Sequence, residues 1–229
     1  MTSDSGLVVA IDTASDVAGV ALCEAGGLLG EVTWQARQSH SRQLLPALDW
    51  LLGHVGRDKQ QISAVCVCLG PGSYAGMRVG LSTAKALAFG FDASLAGVGR
   101  LAAEALPIAE ATAGRVVSLQ AAGRAELAWA AYRASGDELE ELEPPQLIPI
   151  ADLGRIIQAG DVITGDITRL DAATLEAPSL KRARLVSPAA SRVASIARLG
   201  LRRLARNEID NPDTLVPLYL RAPAIGPQT

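Results

Sequence analysis

An apolar run from Ile62 to Cys68 passes directly into Leu69-Gly70-Pro71-Gly72-Ser73-Tyr74-Ala75-Gly76, after which Met77, Leu81, Ala84, Ala88 and Phe91 recur at helical spacing. The order is strand, glycine turn, helix, which restricts the chain to an α/β architecture. Three glycines and a proline in seven residues need a physical reason, because glycine weakens regular structure while permitting backbone angles that a side chain forbids. Two readings are open: a tight turn packed closely on its neighbours, or a set of free N–H groups at a helix start that holds an anion. The stretch is not a Walker A loop, since no Gly-Lys-Ser/Thr follows and Met77-Arg78 stands where lysine is required. Ser73 reads as the cap of the helix rather than a nucleophile, because His40 and His54 belong to another helix and no Gly-x-Ser-x-Gly elbow occurs.

At 229 residues the chain can form one large domain or two small ones. Its net charge of −3 gives no general attraction to nucleic acid, so any RNA contact must be local or shared with a partner. No apolar run approaches the roughly 18 residues of a membrane span and no basic-then-apolar leader opens the sequence, so a soluble, cytoplasmic protein without membrane contact is expected. The three cysteines, Cys23, Cys66 and Cys68, lie in strand-like apolar segments and read as reduced core thiols. Cys66-Val67-Cys68 could present two sulfurs on one strand face, but no second pair accompanies it, and no metal site is expected.

Residues 7–14, 17–24 and 28–35 read as three strands joined by short turns, hence an antiparallel meander. A helix capped by Ser39 or Ser41 follows, with Leu44, Leu45, Leu48, Leu51, Leu52 and Val55 on a core stripe and Ala47, Trp50 and His54 on a second. The strand–turn–helix unit and a short strand at 95–98 complete a β-β-β-α-β-α-β order. From Arg115 much of it repeats: strands at 115–121, 126–133 and within 139–150, a helix at 152–159, strands at 161–166 and 184–186, and a helix at 187–206. Two mixed sheets flanked by helices, with a hinge near 107–114, make a duplicated, two-lobed actin-like (ASKHA, ribonuclease H-like) α/β fold. The first lobe spans 1–106, rejoined by about 207–229, and the second 107–206; the proline-containing end is expected to fray.

Chemistry is sparse. Asp12-Thr13-Ala14-Ser15 sits where an actin-like ATPase holds phosphate and metal, which makes Asp12, Gly70 and Gly72 weak cofactor candidates. The matching second loop, Gln120-Ala121-Ala122-Gly123-Arg124, has no carboxylate, so neither catalysis nor a cofactor is expected. Five acidic residues between Asp137 and Glu143 read as a solvated hairpin. Eight basic residues and no acidic one lie between Lys181 and Arg206, with Arg192, Arg198, Arg202, Arg203 and Arg206 on one helix face, so Arg202, Arg203 and Arg206 are candidate RNA contacts. The other reading is a solvated face. Ala47, Trp50 and His54 on the first helix and Arg78, Ser82, Lys85 and Phe89 on the second form a mixed aromatic and charged surface suited to pairing with a like pair of helices.

Ile11-Asp12-Thr13, His40-Ser41-Arg42-Gln43-Leu44-Leu45-Pro46, the block from Gly70 to Ala88, and Pro217-Leu218-Tyr219-Leu220-Arg221 together resemble the TsaB (YeaZ) family, densely over 7–105 and thinly beyond. The resemblance implies a non-catalytic subunit in formation of N6-threonylcarbamoyladenosine beside the tRNA anticodon. It implies pairing through the two N-terminal helices with the catalytic paralogue TsaD, an ATPase partner, TsaE, and tRNA contact only through the complex. A second copy of the chain is an alternative occupant of the same helices. The paralogue's His-x-x-x-His metal pair has no counterpart in 97–104. The chain departs from the family at Gln120-Ala121-Ala122-Gly123-Arg124, at Gly165-Asp166-Ile167 and at Ala14. The competing reading is an ATP-dependent enzyme of the actin-like superfamily built on Asp12 and the glycine loop.

Overall fold

The computed structural model describes residues 6–221 except 25, 26 and 38. Two five-stranded sheets repeat one topology. In the first, β1 (Leu7–Asp12), β2 (Val17–Glu24) and β3 (Gly27–Gln35) form the expected meander, and β4 (Ile62–Gly70) and β5 (Ser94–Gly99) add in parallel on the far side of β1, giving the order β3-β2-β1-β4-β5. In the second, β6 (Val116–Ala121), β7 (Glu126–Ser135) and β8 (Glu138–Pro149) repeat the meander, and β9 (Val162–Gly165) and β10 (Arg184–Leu185) the parallel pair.

Both faces of the first sheet are covered. Strand alternation sends Leu7, Val9 and Ile11 to one side and Val8, Ala10 and Asp12 to the other. The first set packs with Leu44, Leu48, Leu51 and Leu52 of α1 (His40–Val55) and Leu81, Ala84 and Ala88 of α2 (Tyr74–Gly90). Each fully buried leucine contributes roughly 1.5–3 kcal/mol relative to leaving it exposed. The opposite face meets Ala103 of α3 (Arg100–Ala111) and Val193, Ile196 and Ala197 of α5 (Val193–Ala205). A short helix, α4 (Ala172–Leu175), and two 3₁₀ turns, Ile167–Arg169 and Leu180–Arg182, lie between β9 and β10.

The structure departs from the sequence reading in five places. The segment expected to hold a hinge is largely α3, which carries Pro107 in its interior and packs Leu101, Ala105 and Ile108 against Val116, Ala128 and Tyr132 of the second sheet. The helix expected at 152–159 is a 3₁₀ stretch, Ile150–Arg155, whose Leu153 is buried. The last helix begins at Val193 rather than 187, because Arg192 is held by side-chain contacts described below. It packs on the first sheet, although the sequence placed it with the second lobe. Each repeat thus lends its final helix to the other. Ser39 stands at the N-cap of α1 but makes no side-chain capping bond, and Ser41 lies within the helix.

The segment after α5 returns to the first lobe. The Asp210 N–H donates to Leu95 O at 2.8 Å, Gly97 N–H to Asp210 Oδ2 at 2.7 Å and Leu218 N–H to Leu69 O at 2.8 Å. The fraying expected of the proline-containing end concerns 222–229, outside the described residues.

The glycine block is a close-packing device. Ser73 N–H donates to Ala14 O at 2.8 Å, Thr13 Oγ1 donates to Gly76 O at 2.7 Å, and Ser73 Oγ caps α2 by accepting from Gly76 N–H at 3.2 Å. A Cβ at Gly72 would fall on the Ala14 carbonyl and one at Gly76 on the Thr13 carbonyl. Gly76→Ala is therefore expected to cost about 1–3 kcal/mol in denaturant unfolding. Gly90→Ala, at the end of the same helix with no neighbour within 4 Å, should be neutral or stabilising.

All three thiols are buried. Burial, reinforced by the Glu31 charge, pushes Cys23 up to about 11; burial, with Cys23 nearby, pushes Cys66 up to about 12, and burial raises Cys68 as well. The folded state thus favours the neutral thiols. The stability they lend is complete below the ordinary thiol value of 9.0 and is lost as pH rises toward the folded values. A disulfide reagent at about pH 8 should find no reactive thiol in the native chain and three after unfolding; a reactive native thiol would contradict this core.

Candidate functional site

α1 and α2 lie side by side over one face of the first sheet, and their outer surfaces are more apolar than a solvated pair requires. Leu45 is 52% exposed, Trp50 58% and Phe89 90%. Single apolar residues are ordinary on a surface; three large ones on two adjacent helices are more than solvation alone favours. A groove of about 480 Å³ opens beside these helices, lined by Leu45, Leu48 and Leu52 of α1, Ile62 of β4, and Leu87 and Phe91 from α2 and its end.

The expected pairing stripes do not share that groove. α1 turns Leu45, Asp49 and Leu52 toward α2, and Ala47 and Trp50 toward β3, where a second hollow of about 400 Å³ includes Val32 and Trp34. Trp50 stacks on His54 with ring centroids 4.9 Å apart and planes inclined by 10°. Trp50 and Phe89 therefore flank the helix pair on opposite sides. Leu45, assigned by sequence to the core stripe, lies in the middle of the exposed surface. Leu45 lies about 100° round the helix from the buried Leu44, on the edge of the core stripe.

On α2, Arg78, Ser82 and Phe89 are exposed and Lys85 is half-buried. Arg78 stands over the Tyr74 ring at 4.3 Å, its Nε lies 3.4 Å from Tyr219 Oη, and the two tyrosine rings are 5.2 Å apart. This ties the start of α2 to the returning C-terminal segment. No sequence signal linked Tyr74 to Tyr219.

The basic face of α5 is already neutralised. Arg202 Nη2 donates to Glu110 at 3.1 Å, Arg203 Nη1 to Asp210 at 2.7 Å and to Gly97 O at 2.6 Å, and Arg206 to Glu138 at 2.7 Å and Glu208 at 2.6 Å. Hydrogen bonding from Arg198, opposed by burial and supported by Arg202, holds Glu110 below the usual carboxylate range. These pairings favour the solvated, self-paired reading of the face. Its partners Glu110, Glu138 and Asp210 come from other segments, which is why the sequence run looked unopposed.

A cleft of about 530 Å³ between the lobes is lined by residues that include Ser15, Asp16, Ser73, Gln120, Arg124 and Asp166. Asp12, below it, is not available as a ligand. Its Oδ1 accepts from Ala14 N–H at 2.9 Å and its Oδ2 from Arg192 Nε at 2.9 Å. Burial opposes the charge on Arg192, but Asp12 and Glu104 outweigh it and hold the guanidinium charged. Asp166 Oδ2 accepts from Gln120 Nε2 at 2.9 Å and Ala121 N–H at 2.8 Å, pinning the second loop. Gly70 lies under the Met77 side chain and Gly72 against Ala14, so both glycines serve packing. No group of three or more metal-ligating side chains occurs among the described residues, and no described helix is long and apolar enough to cross a membrane.

The family described as TsaD, tRNA N6-adenosine threonylcarbamoyltransferase, matches residues 23–224. A Bacillus subtilis protein named tRNA threonylcarbamoyladenosine biosynthesis protein TsaB is 29% identical over 154 residues, 67% of each chain. Its Escherichia coli namesake is 30% identical over 148 residues, 62% of this chain and 64% of that one; the chain thus spans less than two thirds of that relative. The structure of YeaZ from Pseudomonas aeruginosa superposes with a TM-score of 0.78 at 22% identity, covering 94% of this chain and all of the other. The Acidaminococcus fermentans (R)-2-hydroxyglutaryl-CoA dehydratase component A, at 9% identity and a TM-score of 0.50 over 88% of this chain and all of the other, shares the fold alone. The two repeated mixed sheets are those of the actin-like (ASKHA) fold, and the chain belongs to the TsaD family, within its TsaB (YeaZ) group.

Proposed function

We propose that this chain is a non-catalytic subunit in the formation of N6-threonylcarbamoyladenosine on tRNA, binding and activating a TsaD-like paralogue through the outer face of α1 and α2. The observation that carries the reading is the open apolar groove lined by Leu45, Leu48, Leu52, Leu87 and Phe91 on two adjacent helices, with Trp50 and Phe89 exposed elsewhere on the same helices. A paralogue of that kind is related in sequence: a Symbiobacterium thermophilum protein named tRNA N6-adenosine threonylcarbamoyltransferase is 43% identical to this chain over 76 residues, 33% of this chain and 21% of that one. Two chains related in this way can offer each other similar helix pairs, which is the arrangement of a pseudo-twofold interface. Burial of the aromatic anchors would drive association, with Arg78 and Lys85 on the polar rim.

The interior supports a non-catalytic role, because Asp12, which opens the first loop, is spent on Arg192 and the second loop has no carboxylate. Chemistry then resides in the paralogue, an ATPase of the TsaE kind joins the pair, and tRNA is reached only through the complex.

Light scattering of the chain with the paralogue from the same cell is expected to give a one-to-one complex, and tRNA modification should require both. Leu45→Asp and Phe89→Glu should each weaken the complex about 100-fold, near 2.7 kcal/mol, without unfolding the chain. Trp50→Ala reports whether the interface extends to the β3 side. Unchanged affinity in both charged variants would overturn the docking face, and a homodimer unaffected by the paralogue would reassign its occupant. Arg203→Ala should lower thermal stability while leaving the salt dependence of tRNA binding by the complex unchanged; a reduced salt slope would restore α5 as a phosphate contact.

A further inference from the structure

Below the interlobe cleft, four elements converge on one dry cluster of charges. Asp12 ends β1, Arg192 immediately precedes α5, Arg100 and Glu104 lie one turn apart on α3, and Ser118 belongs to β6; each is more than nine-tenths buried. Arg192 is central. Its Nε and Nη2 both lie 2.9 Å from Asp12 Oδ2, its Nη2 donates to Ser15 Oγ at 2.6 Å, and its Nη1 is 3.7 Å from Glu104 Oε1. Arg100 Nε donates to the same Glu104 oxygen at 3.0 Å, and Ser118 Oγ lies 3.4 Å from Glu104 Oε2. Two carboxylates and two guanidiniums balance.

The actin-like fold implies a divalent metal with bound phosphate near Asp12, and the residues present do not fit one. Magnesium demands near-octahedral oxygen ligands at about 2.0–2.1 Å, so its carboxylate ligands need free oxygens. Both Asp12 oxygens are engaged, one by the Ala14 N–H and the other by Arg192. The opposing loop, Gln120 to Arg124, contributes no carboxylate, and the Oδ2 of Asp166 is spent on that loop's own turn.

We propose that Arg192 is a built-in cation: its guanidinium occupies the place between Asp12 and Glu104 that a divalent metal would need, leaving the cleft floor neutral and closed to metal. An arginine suits the task because its planar donor fork reaches several oxygens at once and keeps its charge when buried. The protein thereby joins β1, α5 and α3 by a covalently held charge, where a metal-dependent relative of this fold needs a bound ion. The inference holds whether or not α1 and α2 dock a partner.

Removing the arginine exposes the corollary. Arg192→Ser empties the guanidinium volume, strips Asp12 of its counter-ion and frees Asp12 Oδ2 and Ser15 Oγ at the edge of the hole, oxygens that Mg²⁺ or Mn²⁺ takes together with waters. The experiment is thermal unfolding of the full chain in chelator and in millimolar Mn²⁺. Wild type should show the same midpoint in both. Arg192→Ser should unfold lower in chelator and regain roughly 3 °C or more with Mn²⁺, saturably, and Asp12→Asn added to it should abolish the gain. Arg192→Lys, which keeps the charge, should ignore Mn²⁺ and carries the test if the serine variant fails to fold. Stabilisation of wild type or Arg192→Lys by Mn²⁺ through Asp12, or a folded Arg192→Ser that gains nothing from Mn²⁺, would overturn the proposal.

Discussion

The approach of α2 to the β1–β2 turn is the contact on which the rest of the first lobe depends. Ser73 N–H meets Ala14 O, Thr13 Oγ1 meets Gly76 O, and the glycines at 72 and 76 leave no Cβ to hold the two segments apart. Once that end is fixed, a helix rising 1.5 Å per residue has no freedom in where its far end points, and Phe89 stands about 24 Å from the Ser73 anchor. The outer face of α2, and with α1 the groove that includes Leu45, Leu87 and Phe91, is set by a backbone contact at the other end of the helix. A loop that in other chains frees its N–H groups for phosphate here uses one of them to hold the Ala14 carbonyl.

The two repeats are bound together by exchange of their last helices. α3 follows the first sheet but packs on the second, and α5 does the reverse, so the lobes share a core rather than meet across a linker. Arg192, at the start of α5, brings its charge to Asp12 at the end of β1 because strand alternation turns Asp12 to the α5 side. The same geometry that closes the fold removes the carboxylate a metal would use. The engaged carboxylate and the exposed helix pair are the two features on which the proposed partner role rests.

Much of this was legible in the sequence, and the misses have physical causes. Strands and the two crossover helices of the first lobe follow from local apolar periodicity, and the Ser73 cap from its position before α2. The repeated meander was visible because turn residues and strand lengths recur. α3 was obscured by Pro107, which reads as a break yet is tolerated mid-helix by tertiary packing around Leu101, Ala105 and Ile108. Ion pairs of long sequence separation were invisible: Arg192 with Asp12, Arg206 with Glu138, Arg198 with Glu110. For the candidate face, the sequence found Trp50 and Phe89 as exposed aromatics but placed them on one surface, and it put Leu45 in the core. A helical wheel gives angles around one axis and is silent on which flank its neighbour covers.

The central claim is that the α1–α2 face is where this chain meets its partner. Hydrogen exchange of the chain alone and mixed with the TsaD-like paralogue tests it directly, because protection maps the buried backbone without altering a residue. The account predicts added protection in His40–Val55 and Tyr74–Gly90, with Val193–Ala205 and the second sheet unchanged. Protection confined to α5 or to the second sheet, with both N-terminal helices exchanging as in the free chain, would contradict it.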